Sequence, residues 1–321
     1  MKRLSVIVPV YNAERFLHNS IESILEQSFE GLEIILINDG SSDNSGEICD
    51  SLAKKNSIIR VFHQENQGVS AARNVGIENA RYEWMYFMDS DDLLIDGIFR
   101  FLLKFNDADI DCVCFGAKIS KENCEDIFWQ TDHTGYFALA DALFKHYSLN
   151  KYNLWLFFFK SEVIIQNNLK FSENVKYAED LEFVIKILVL SRGIFLSAEV
   201  YYNYFVRAQS AMTSKIGYRR ISDHLLVGAN LVNFFLLHKV NGEFANSRVE
   251  YMVKSYFSTA AKLNFFSIRF SDLQENYNAF YNEYLRGTVF NNLIFRFCRM
   301  SILPYIVLIK IKESIYGINK N

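Results

Sequence analysis

Three carboxylates, Asp89, Asp91 and Asp92, close the apolar run in "YFMDSDDLLIDG" (86–97). Like charges at that spacing repel, so a cation, a solvated turn or a helix cap must hold them. Carboxylate oxygens suit Mg2+ or Mn2+, which bind through one or two carboxylates plus substrate phosphates. In Asp89-Ser90-Asp91 one carboxylate would ligate the ion and the other would hold a water or a ligand hydroxyl. The competing reading is a polar turn in which Asp92 or Asp96 caps the helix "GIFRFLLKF", and Asp96 is expected to be such a cap. Asp39 precedes Gly40 in "INDGSSDNS". It either accepts from a ring N–H such as uracil N3 or simply builds an Asp-Gly turn. Arg73 is expected in the first turn of a helix, where a surface cation is the default; otherwise it binds a nucleotide or pairs with Asp39. Glu179 and Asp180, in "KYAEDLEFVIKILVL", fall in the first turn of another helix. Acidic residues there complement the macrodipole. The same field is expected to lower the pKa of Asp180 and keep it ionised, as a general base for a sugar hydroxyl requires.

Strands and helices must bring these groups together. "LSVIVPV" (4–10), "EIILI" (33–37), "IIRVF" (58–62) and "WMYFM" (84–88) read as strands. Between them lie helical patterns, with Asn12 and Ser70 as expected N-caps. Alternating near-continuous apolar strands with helices predicts an α/β fold, a Rossmann-like, mostly parallel central sheet flanked by helices. Such sheets bind ligands beyond the carboxyl ends of their strands. Tyr11 and Asn12, Asp39 to Ser42, and Asp89 to Asp92 all fall there. That recurrence says more than any one motif. From Asn153 the chain turns aromatic ("NLWLFFFK"), and beyond about Gly217 only helical patterns appear.

The 321 residues are 50% hydrophobic and 16% aromatic, enough for roughly two domain-sized units. Five scattered cysteines fit a cytoplasmic protein with reduced thiols. Cys112 and Cys114 share one face of a strand, where buried packing is the expected role. Charge is uneven: net −10 over residues 1–207 and +7 over 208–321. The C-terminal apolar run, interrupted by Pro304, is well short of the ~18–20 residues a span needs. The basic C-terminal region could instead lie on an anionic inner membrane face as a peripheral contact. The alternative is a helical cap that packs on the rest of the chain or forms a homodimer.

"SVIVPVYNAERFLHNSIESILEQSFEGLEIILINDGSSDNS", "NQGVSAARNVGIENA", "FMDSDD" and "AEDLEF" together resemble the family 2 glycosyltransferases. The resemblance covers residues 1–215 and implies a GT-A catalytic domain there, with a nucleotide-binding half (1–115) and an acceptor half (116–215). Residues 216–321 then form an α-helical C-terminal region. It implies an inverting, metal-dependent enzyme using a UDP-sugar, of the bacterial surface-polysaccharide type. Asp39 and Arg73 would line the uracil site, with Pro9, Tyr11 and Asn12 nearby. Asp89, with Ser90, would face the ribose–diphosphate, and Asp91 would ligate Mn2+ or Mg2+ with Asp89 as partner. Asp180 would be the catalytic base, supported by Glu179, with Asp92 in a structural role. "YNYFVRAQSAMTSK" is similar to the family's loop over the diphosphate, which makes Arg207, Ser210 and Thr213 candidate contacts.

The sequence departs from the family pattern in places. Asn38 stands where many members have Asp, and Ala178 replaces a frequent Gly. "NLWLFFFK" is apolar where members often carry a Lys soon after a Trp. No Gln-x-x-Arg-Trp follows the Glu-Asp pair, which points to transfer of one sugar rather than polymerisation. The expected reaction is a single displacement onto a saccharide hydroxyl, on a lipid-linked oligosaccharide in capsule, O-antigen or exopolysaccharide synthesis. Nucleic acid is not an expected partner. Two other classes compete. A phosphohydrolase would need its nucleophilic Asp after the first strand, where "PVYN" stands. A non-catalytic nucleotide-sugar-binding protein would have lost Asp91 or Asp180, and both are present.

Overall fold

The computed structural model describes residues 2–105, 110–121, 124, 126–131, 134–137, 153–207, 217–240, 243–261 and 270–285. The chain divides into two compact units. The first comprises residues 1–174 and 179–213, the second 175–178 and 214–321.

The first unit is built on one sheet. β1 (Leu4–Val10), β2 (Leu32–Asp39), β3 (Ile59–Gln64) and β4 (Trp84–Phe87) lie in the order β3-β2-β1-β4 and pair in parallel. β1 and β2 are buried along their whole length. This is why they read as unbroken apolar runs rather than as alternating ones. Short β5 (Leu93–Leu94) follows. β6 (Cys112–Lys121), β7 (Ile127–Trp129), β8 (Gly135–Phe137), β9 (Phe157–Lys160) and β10 (Ile194–Val206) complete the sheet. β9 is antiparallel to both β4 and β6, and β10 is parallel to β6. Two reversals restore the direction, so β1, β2, β3, β4, β6 and β10 all end at the same edge. The second half of the sheet therefore continues the carboxyl edge of the first. Cys112 and Cys114 are buried on β6, as their spacing suggested.

Helices α1 (Leu17–Leu25), α2 (Ser45–Lys55) and α3 (Val69–Asn79) connect the first four strands. α3 lies close on the sheet because Gly76 has no side chain. A Cβ there would stand 2.3 Å from Ile7 Cγ2. α4 (Ile98–Leu102), α5 (Ser161–Gln166) and α6 (Glu179–Leu190) follow later in the unit.

Three expected caps are corrected. Asn12 sits at φ +50° with its side chain turned to Ser42, and α1 starts only at Leu17. Ser70 lies inside α3, whose N-cap is Gly68; Arg73 is consequently in the second turn, not the first. Gly97 occupies the N-cap of α4, and the Asp96 carboxylate instead accepts from Arg100 at 2.8 Å, one turn away. In each case the local signal was a capping residue type; a tertiary or i,i+4 partner claimed the side chains of Asn12 and Asp96, while the Ser70 hydroxyl is buried inside the helix without a hydrogen-bond partner among the described residues.

The described part of the second unit is helical. α7 (Tyr218–Leu237), α8 (Glu243–Ala261) and α9 (Phe270–Phe280) form it, with a π-helical turn at Tyr281–Leu285. Tyr256 and Tyr277 are fully buried, and Tyr256 Oη donates to Leu273 O at 2.7 Å. Residues 175–178 are tied to this unit by Asp223, whose carboxylate accepts from the Lys176 and Tyr177 amides at 2.9 and 3.1 Å. Among the described residues no helix is long and apolar enough to cross a membrane. The apolar, cation-bearing stretch after residue 285 lies outside the described residues.

Candidate active site

Three groups of polar side chains stand at the carboxyl edge of the first unit. One forms where β1 and β2 end. Pro9 is buried in β1, while Tyr11, just past the strand, is 53% exposed. The Asn12 amide donates to Ser41 Oγ, and its side-chain oxygen accepts from the Ser42 amide at 2.8 Å. Asp39 is buried. It accepts from Gln64 Nε2 (2.8 Å), the Gln67 amide (2.8 Å) and the Gly68 amide (2.9 Å). A carboxylate offers about four acceptor positions. Three are used to shape the loop into α3, leaving one for a ligand N–H. The turn and ligand readings of Asp39 are thus compatible.

The second group centres on Arg73, which is nearly buried between two carboxylates. Nη1 donates to Glu179 at 3.0 Å and Nη2 to Asp89 at 3.2 Å. Its partners are these, not Asp39. Its guanidinium also lies 5.3 Å from the Phe171 ring centroid. Burial alone would lower the Arg73 pKa, but Asp89, Glu179 and Asp180 outweigh it and raise it. Glu179 and Asp180 open α6 side by side. Burial pushes both carboxyls up, opposed mainly by Arg73. For Asp180 this reverses the expected direction. The helix terminus contributes the Leu181 amide at 2.7 Å and the amide of Asp180 itself, and these do not offset the loss of water. A carboxylate of raised pKa is a stronger base than an ordinary one.

The third group is the acidic turn after β4. Asp92 is fully buried and accepts from Tyr202 Oη at 2.8 Å and from the Phe205 amide at 2.9 Å. Burial, with Asp89 and Asp91, holds its carboxyl well above the usual range. It is the structural member of the triplet and pins β10 to the turn. Asp91 is more open, as is Ser90. Asp91 Oδ2 accepts from Arg207 Nη1 at 2.6 Å, while Arg207 Nη2 donates to the Asp91 carbonyl. Burial and the Asp89 charge raise the Asp91 pKa against the pull of Arg207. Asp91, Arg207, Phe16, Asn19, Leu93 and Phe205 line a cleft of about 300 Å³. Among the described residues no cluster of three or more ligating side chains could hold a metal ion. The donors nonetheless fit a hard cation that takes its other ligands from a diphosphate. Asp91 is an oxygen donor whose ionised form is disfavoured by its surroundings, and a cation would favour it. Ser210 and Thr213 lie outside the described residues.

Arg207 was a sequence candidate for the diphosphate, but sequence reasoning missed that Tyr202 and Phe205 of β10 hold the acidic turn. Tyr202, Phe205 and Arg207 reach Asp91 and Asp92 from more than a hundred positions away. Only the aromatic alternation of "YYNYFV" marked that strand.

Ala178 sits directly before the Glu-Asp pair at φ +67°. An L-residue there is strained by about 1–2 kcal/mol, which accounts for the Gly that many members carry. Ala178→Gly is expected to stabilise the protein by roughly 0.5–1 kcal/mol, after the entropy glycine adds to the unfolded chain. Chemical denaturation checks this, and a loss of stability would show that the turn is not strained.

A mostly parallel sheet with D-x-D at its carboxyl edge, facing a Glu-Asp pair at a helix start, defines the GT-A class of glycosyltransferase fold. The sequence model described as Glycosyl transferase family 2 matches residues 5–166, and the chain belongs to that family. The chain is 32% identical over 209 residues to "Uncharacterized glycosyltransferase EpsJ" of Bacillus subtilis, covering 61% of each. It is 32% identical over 251 residues to "Minor teichoic acid biosynthesis protein GgaB" of the same organism, covering 73% of this chain and 27% of GgaB. The match thus spans less than two thirds of either relative's own length. Among solved structures, S. aureus TarS 1–349 in complex with UDP-GlcNAc has a TM-score of 0.71 at 20% identity. That likeness covers 98% of this chain and 92% of TarS 1–349, and it shows the fold.

Proposed function

We propose that this chain transfers one sugar from a UDP-sugar to a hydroxyl of a saccharide acceptor, with inversion at the anomeric carbon. The observation that carries the reading is the single cluster formed by Arg73, Asp89, Glu179 and Asp180 beside the Asp91 turn. It sets a base of raised pKa next to carboxylates suited to a cation–diphosphate. TarS, whose fold this chain shares, is seen with UDP and with UDP-GlcNAc, which supports a uridine nucleotide here. The description of GgaB as a minor teichoic acid biosynthesis protein supports a role in bacterial surface-polysaccharide synthesis, and the proposed acceptor is a lipid-linked oligosaccharide.

In this reading Asp39, with its remaining acceptor position, takes the uracil N–H, and Tyr11 and Asn12 flank the base. Asp89 and Asp91 would hold Mn2+ or Mg2+, which when bound offsets the charge on the departing diphosphate. Asp180 takes the proton from the acceptor hydroxyl as its oxygen attacks the anomeric carbon from the side opposite UDP. Arg73 keeps Asp180 ionised while leaving it basic. Arg207 releases Asp91 and turns to the diphosphate.

Thermal unfolding with nucleotides tests the reading. UDP with Mn2+ is expected to raise Tm, by about 2.7 kcal/mol of stabilisation at a hundredfold excess over Kd. ADP, CDP and GDP should do less, and chelation should shrink the UDP effect. No response to UDP would overturn the proposal.

A further inference from the structure

We infer that an aromatic wall on the β6–β10 half of the sheet is the acceptor subsite, and that it binds a pyranose ring by stacking. The inference rests on the transferase reading above and adds to it the place and chemistry of the acceptor. Four rings make the wall. Trp155 stacks on Tyr202 at 4.5 Å and 10°, on Tyr204 at 5.5 Å and 9°, and on Trp129 at 6.1 Å and 13°. Strand register explains the arrangement. Tyr202 pairs with Ala117, and Ala117 pairs with Trp129, so the three form one row across β10, β6 and β7. Ala117 is the small member of that row and leaves room for the Trp155 ring. Trp155 and Tyr202 are buried, whereas Trp129 and Tyr204 are only partly covered. These two are the faces a ligand can reach.

The wall stands where an acceptor must come. The nucleotide groups lie after β1 and β2, on one side of the acidic turn. An in-line displacement brings the attacking oxygen from the opposite side of the anomeric carbon. β6 and β10 run parallel to β1 and end at the same edge, on that opposite side. Tyr204 is fixed there because its neighbours Tyr202 and Phe205 both hydrogen-bond Asp92. A pyranose ring presents axial C–H bonds on one face, and these pack on the negative face of an aromatic ring. Lys118 belongs by alternation to the other face of the sheet and pairs with Asp126 at 3.2 Å, whereas Lys121 closes β6 on the wall's own face. The four rings offer their faces rather than a charge, so they suit the rigid C–H face of a pyranose better than an open-chain polyol phosphate.

Binding of methyl β-glucoside, methyl β-galactoside, methyl β-N-acetylglucosaminide and ribitol phosphate, read by saturation-transfer NMR on the full chain with UDP and Mn2+, tests this. At least one glycoside should bind through its ring protons, and ribitol phosphate should not compete. Trp129→Ala and Tyr204→Leu, on different strands, should each weaken that glycoside at least tenfold and leave the UDP-dependent Tm shift unchanged. Phe128→Ala, exposed on the opposite face, should change neither. If one of the wall variants does not fold, the other decides. Absence of glycoside binding, ribitol phosphate displacing the glycoside, or undiminished binding in the folded variants would each overturn the subsite. Loss of the UDP response in the unsubstituted protein would instead remove the transferase reading itself.

Discussion

Asp180→Asn is expected to lower kcat by about 10²- to 10⁴-fold, the usual contribution of a positioned general base. UDP binding should persist. Asn is isosteric, and its side-chain oxygen can still accept from the Leu181 amide, as Asp180 does at 2.7 Å. Stability should not fall. Burial disfavours the Asp180 charge, so removing that charge relieves the fold rather than stressing it. The substitution thereby separates chemistry from folding. The measurement is UDP release with acceptor present, beside a UDP-dependent thermal shift. Near-native transfer by Asp180→Asn would show that another group takes the proton.

Arg73→Met should be the most destabilising single change in the site. Arg73 joins Glu179 and Asp89 with its guanidinium nearly out of water. Breaking a buried pair by removing one partner typically costs about 3–5 kcal/mol, because the remaining charges have no counter-ion. Here Glu179 is the buried partner and Asp89 is more open, so most of the cost falls on Glu179. The loss should depend on pH with a definite sign. Folded-state pKa values of Glu179 and Asp180 are already raised. A raised carboxyl contributes stability that is fully present below its unfolded value and is lost as pH rises through the folded one. Without Arg73 both values rise further. Acidification from pH 8 toward pH 5.5 should therefore restore part of the lost stability in Arg73→Met, and restore less in the unsubstituted protein. Urea midpoints at the two pH values measure it. An equal response in both proteins would mean that Arg73 does not govern these carboxyls.

Local patterns carried the first half of the fold well. The apolar runs of β1, β2 and β4 marked buried parallel strands, and the polar residues after them marked one edge. That works because a parallel strand–helix repeat returns every strand end to the same side, so sequence position alone locates the crevice. Asp39, Asp89 and Asp91 were legible for this reason, as was the start of α6 at Glu179. The caps were less legible. Asn12, Ser70 and Asp96 have capping chemistry, yet each meets a different environment in the folded chain.

The division of labour inside the acidic triplet needed the packed molecule. Nothing in "DSDD" says that Asp92 is buried under Tyr202 while Asp91 stays open to Arg207. Those partners arrive from β10 and the residue that follows it, 110 and 116 residues away. The same holds for Arg73, whose bond to Glu179 closes a separation of 106 residues. It holds also for the pKa of Asp180. A helix terminus acts over one turn and is a local property that sequence can announce. Desolvation depends on every chain segment that crowds the carboxyl, and it is the larger effect here. Residue types and their order thus established the family and the candidate groups. Which carboxylate is buried, which stays open and which ties β10 to the turn depended on how distant segments pack together.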